Sequence, residues 1–142
     1  MSDQNLVASR PTYTANQYLL YIVIGFVIWV SGVILVRLLG SAVFSQDSPI
    51  LLLFFGASIP FGILIQYLIP LIIRQPMQNM MIPIIVMVAT TLMLDGIAIT
   101  FTDIYSAETS MKMVVGGWLL WTFGTQLVVS LIVINRANNP QQ

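Results

Sequence analysis

Asp95 is the residue of this chain with the clearest chemical potential. It lies inside an apolar run, residues 81–102, roughly 12 Å from the far end of that run at ~1.5 Å per helical residue. An ionisable group at such depth costs roughly 2.5–3.5 kcal/mol on insertion scales and is a functional candidate by default. The chemistry open to it is proton or cation binding, or service as a counter-charge. Thr91, Asp95, Ala98 and Thr102 share one helical face. Arg37, near the end of the first apolar run, is the basic residue able to approach from within the membrane. Its long side chain can snorkel toward water or toward Asp95. The structural alternative is an Asp95–Arg37 ion pair, or an Asp95 hydrogen-bonded by neighbouring Thr or Tyr groups. Structure is the favoured reading, because one acid without a second ionisable relay makes a thin pathway.

Other polar residues in the apolar runs fit helix association. Gln66 and Gln126 fall at similar depths in the second and fourth runs, with Thr90 and Thr91 at a comparable level in the third. Such groups hydrogen-bond between helices, each worth about 0.6 kcal/mol on average. Met77, Met80 and Met81 cluster at one loop, and Met111 and Met113 at another. Thioethers bind cuprous ions, but these clusters fall on opposite sides of the membrane, and gap-filling is the better account. The sequence has no His and no Cys. That excludes disulfides, Cys/His zinc sites, His-ligated haem and imidazole general bases. No phosphate loop, nucleophile–base pair or paired carboxylates are present, so no enzyme, cofactor or metal is expected.

Two helical stripes share a pattern. Gly25, Trp29, Gly32 and Val36 repeat the spacing of Gly117, Trp121, Gly124 and Val128. Small residues let helices approach closely in lipid, so both stripes read as packing seams.

These residues need elements to hold them. The chain has 142 residues, 58% hydrophobic and only 7% charged, against about 25% charged in soluble proteins. Five Lys/Arg balance five Asp/Glu, which leaves no cationic excess for nucleic acid. Four apolar runs, about 17–39, 49–73, 81–102 and 113–134, each approach the ~20 residues that cross ~30 Å of hydrocarbon. Unpaired backbone groups are not tolerated in lipid, so each must be helical. The expected fold is all-α: a bundle of four transmembrane helices in antiparallel up-down order (residues 17–134), between polar tails at 1–16 and 135–142. Short loops make sequential helices antiparallel neighbours. Pro60 and Pro70 interrupt the second helix and Pro83 lies early in the third, each able to bend its helix. Arg10, Arg74 and Arg136 fall on one side and Lys112 on the other, with Arg37 just inside the membrane there, a small bias that places both termini in the cytoplasm. Tyr13, Tyr18 and Tyr21 fit the inner interface and Tyr105 the outer one.

Met93-Leu94-Asp95-Gly96 and Gly116-Gly117-Trp118-Leu119-Leu120-Trp121-Thr122-Phe123-Gly124 resemble the third and fourth helices of a bacterial family of small four-helix membrane proteins, known only as a domain of unknown function. Phe26-Val27-Ile28-Trp29 followed by Arg37-Leu38-Leu39-Gly40 resembles its first helix. The resemblance implies architecture and no activity. The expected function is non-enzymatic: a structural or accessory component of a bacterial inner membrane, or of an internal energy-converting one. Its partners would be the lipid bilayer and either a second copy or a larger membrane complex. The alternatives are a small dimeric proton- or cation-coupled transporter using Asp95, and a pigment- or lipid-binding subunit of an energy-converting complex.

Overall fold

The computed structural model describes residues 12–139. Those residues form four long helices: α1 (Ala15–Val43), α2 (Pro49–Ile73), α3 (Met81–Phe101) and α4 (Thr109–Asn138), with a single 3-10 turn at Met77–Asn79. Each is long and apolar enough to span a membrane. Of the expected tails, 1–16 and 135–142, residues 1–11 and 140–142 lie outside the described residues, while 15–16 belong to α1 and 135–138 continue α4.

The helix ends have local causes. The Thr14 hydroxyl accepts from the Gln17 backbone while the Gln17 side chain accepts from the Thr14 backbone. This capping box starts α1 before the apolar run does. α1 breaks its helical geometry at Gly40, whose φ of 54° suits a residue without Cβ. Pro49 opens α2 in the first helical turn, where its missing N–H is not needed. α2 continues through Pro60 and Pro70 and ends on Arg74 in the left-handed conformation. α4 starts earlier and ends later than its apolar core. At ~1.5 Å per residue its 30 residues outreach the hydrocarbon, so tilt or projecting ends accommodate the excess.

Neighbour relations differ from the sequence expectation. Tyr13 OH donates to Asn79 O, Thr91 Oγ1 to Gly25 O, and Arg37 to Asp103 O, each joining residues 66 apart. A constant offset means that α1 and α3 run parallel, side by side. Trp121 donates to Phe55 O and Gln126 to Gln66, so α2 and α4 form a second parallel pair. α3 and α4 pack antiparallel, with Ile99 against Gly116. Successive helices do alternate in direction. Yet α2 and α3, despite their short link, are not a principal packed pair. The link instead runs under α4, where Gln78 Nε2 donates to Ala137 O.

Residue 12, the 74–80 link and residue 139 therefore share the proximal end, and the 44–48 and 102–108 loops share the distal end. A proximal core gathers Tyr21, Met80, Ile84 and Met87, and a distal core gathers Val36, Phe44, Val115 and Trp118. Leu38, Leu52, Leu71 and Phe101 stand outward almost fully exposed, which suits hydrocarbon rather than water.

Candidate functional site

The distal half of the bundle holds Asp95. The α1/α3 register sets Trp29 level with it, since Trp29 lies 66 positions before Asp95, the same offset as the bonded pairs. The 102–108 loop folds back so that Tyr105 reaches the same place. Tyr105 is 3% exposed and Asp95 4%. The Tyr105 hydroxyl donates to Asp95 Oδ1. Burial, and the carboxyl it binds, push the Tyr105 phenol above its ordinary range, so it remains a protonated donor. The Trp29 indole lies against both groups but outside hydrogen-bond geometry. Its Nε1 and Asp95 Oδ2 are both buried without a partner.

Arg37 does not pair with Asp95. Its guanidinium donates to the main-chain oxygens of Asp103 and Ile104, just past the C-terminal end of α3. The expected ion pair is corrected accordingly. Arg37 is nearly level with Asp103 by the same register, and free carbonyls at a helix end attract a cation without the cost of dehydrating a second charge. Lys112 pairs with Asp103 at 2.8 Å on the surface of the same loop. Arg37, Lys112 and Tyr105 thus hold the loop at three points.

The α2/α4 pair has its own polar junction. Gln126 Nε2 donates to Gln66 Oε1 at 3.0 Å, and Ser130 Oγ lies 2.8 Å from the same oxygen. Gln66 is fully buried, and its amide nitrogen points to Met77 Sδ at 3.7 Å. Gly62 makes room: a Cβ there would meet Gln126 Oε1 at 2.9 Å. Nearby, Phe55 O accepts from both Ser58 Oγ and Trp121 Nε1. Pro60 lacks the N–H that would serve the next carbonyl, Gly56, so side-chain donors gather where the helical ladder is weakened.

The glycine stripes divide. Gly25 lies in a true close crossing: a Cβ would meet Met87 O at 2.9 Å, Thr90 Cβ at 3.1 Å and Met87 Cα at 3.2 Å. Thr91 bonds across that crossing to Gly25 O, whereas Thr90 bonds only to Val86 O in its own helix. Thr90 therefore packs without joining helices by a hydrogen bond. Gly32, Gly117 and Gly124 have no atom within 4 Å of an added Cβ. They are not seams inside this bundle: the three glycines themselves face away from other helices, while Val33 and Val36 of α1 and Trp121 of α4 make the contacts beside them. Met80 and Met111 are buried at opposite ends, in line with gap-filling. Among the described residues, no group of three or more acidic side chains is arranged to hold a metal.

Sequence reasoning gave Tyr105 an interfacial role and passed over Ser130. No spacing rule marks Tyr105, since a loop brings it back. Ser130 lies one helical turn beyond Gln126, a signal that was available. No protein-family model matches the chain, and comparisons with curated proteins and solved structures return no match.

Proposed function

We propose that this chain is a non-enzymatic structural or accessory component of a membrane, acting through helix–helix contacts with a second copy or a larger complex. The observation that carries this reading is the contrast between its polar interior and α4. Gln66, Gln126, Ser130, Thr91 and Asp95 are engaged in joining the chain's own segments. The face of α4 bearing Gly117 and Gly124 stays open, and Trp121 beside it, though its indole N–H binds Phe55 O, is still 47% exposed. Small residues beside an aromatic suit the approach of another helix in lipid, where association depends on close packing rather than on hydrophobicity. The bacterial inner membrane is the setting this reading adopts, with both termini cytoplasmic from the bias of Arg10, Arg74 and Arg136 over Arg37 and Lys112 along the sequence. The resemblance to the four-helix family is compatible with it and adds no activity.

Extraction in mild detergent tests the proposal. The chain should come out with a larger assembly or as a multimer. Gly117→Leu and Gly124→Leu should weaken that association while leaving the melting of the bundle unchanged. Recovery as a lone monomer, indifferent to both substitutions, would overturn it. A transporter is the second reading, favoured by the unpartnered Oδ2 of Asp95. It predicts proton-coupled flux in liposomes that Asp95→Asn abolishes without unfolding the protein.

A further inference from the structure

Asp95 meets an unusual set of neighbours. Tyr105 donates to Oδ1, while Oδ2 is buried without a partner and the Trp29 indole N–H, also without one, lies close to both side chains. Trp Nε1 is a donor only. A carboxylate, which only accepts, suits a surrounding of two donors. A protonated carboxyl suits it less: the indole N–H offers its new O–H no acceptor. The two charge states of Asp95 therefore call for different arrangements of the same neighbours. One neighbour is fixed on α1, within the bundle, whereas Tyr105 belongs to the short loop between α3 and α4.

We infer that Asp95 is a reversible proton-binding site, and that its charge state sets the position of the 102–108 loop through Tyr105. With Asp95 ionised, the phenol donates a charge-assisted bond and the loop is drawn into the bundle. Proton uptake forms an O–H bond on Oδ2 and removes that charge. Oδ1 remains a carbonyl acceptor, so the phenol bond to it changes from charge-assisted to neutral and falls to about half its strength. The loop loosens at that point while its two other attachments persist.

The other charged groups around Asp95 have positions of their own. From α1 the charged neighbour is Arg37, held on the Asp103 and Ile104 carbonyls. From the loop come Tyr105, whose phenol stays protonated, Asp103, paired outside with Lys112 of α4, and Glu108, whose carboxylate accepts from Ser110 Oγ. Deeper on α4, Val115, Trp118 and Leu119 do not titrate, and α2 supplies Leu51, Phe54 and Phe55 to the same core. Asp47 and Glu108 lie exposed at the distal rim.

The chain has no cysteine, so a single nitroxide can be attached at Ala107→Cys, in the exposed part of the loop. Its mobility is read in the full-length protein in liposomes over about pH 4–9, a range covering both free and strongly perturbed carboxyls. The expected result is a one-proton transition in which the mobile fraction at least doubles at the acid end. Asp95→Asn should abolish the transition and leave the label in its acid-like state at every pH. Asp103→Asn and Glu108→Gln should each keep the transition. If Asp95→Asn does not fold, Tyr105→Phe serves instead, since it retains the carboxyl but cuts the link and should give a mobile, pH-independent label. Label mobility that ignores pH in the parent would overturn the proposal. So would a transition that survives in Asp95→Asn or Tyr105→Phe.

Discussion

Gly25 and Gly32 are two glycines of one helix, one heptad apart, and alanine at each should act in opposite directions. At Gly25 a methyl group would meet the Met87 carbonyl oxygen at 2.9 Å and the Met87 Cα at 3.2 Å. Both are backbone atoms of α3 and have no rotamer by which to retreat. The helices must part by several tenths of an ångström, which disturbs the Thr91 bond to Gly25 O. Overpacking of this kind costs about 1–3 kcal/mol. At Gly32 the methyl enters open space. Replacing glycine by alanine inside a helix is itself favourable by about 0.5–1 kcal/mol. That gain applies at both sites, so the difference between the two variants isolates the steric term, about 1–3 kcal/mol. Gly32→Ala should be neutral or stabilising, and Gly25→Ala neutral to destabilising by up to about 2 kcal/mol. Titration with SDS from a mild detergent, followed by helical circular dichroism, measures the difference. Equal transition midpoints for the two variants would refute the parallel α1/α3 crossing.

Further outcomes follow from the other junctions. Arg37→Leu and Asp95→Leu should be additive within about 0.3–0.5 kcal/mol in a double-mutant cycle, because the two side chains bind different partners; a large coupling would restore the ion pair. Gln66→Leu and Gln126→Leu should be non-additive, with a coupling of about 0.6 kcal/mol and at most about 1.7, read from the same SDS titrations, and additivity would count against their hydrogen bond. Tyr105→Phe should destabilise by about 1–3 kcal/mol, since it strips a buried carboxyl of its donor, and unchanged stability would show that Asp95 is satisfied elsewhere. Reporter fusions should place Asn139 in the cytoplasm and Glu108 outside, and labelling of Glu108→Cys from the cytoplasm would invert that assignment.

Much of the architecture is fixed by the sequence alone. Four apolar runs of suitable length must be helical, because lipid offers no partner for a free N–H or carbonyl. Short links then force alternating directions. Gln66 and Gln126 were legible as partners from depth alone, since a buried amide in hydrocarbon seeks another polar group at its own level. What the sequence does not carry is which face of each helix meets which neighbour. In a soluble bundle the apolar stripe marks the buried face. Here every face is apolar, and lipid replaces a missing neighbour without penalty. Gly25 and Gly32 therefore read alike until α3 is placed against only one of them. The same ambiguity made Gly117 and Gly124 look like an internal seam. The pairing of α1 with α3 and α2 with α4, and the return of Tyr105 to Asp95, depend on how four nearly uniform cylinders pack and how one loop folds back over them. That is decided by side-chain shape and by a few hydrogen bonds between residues far apart in the chain, and only the tertiary structure brings those together.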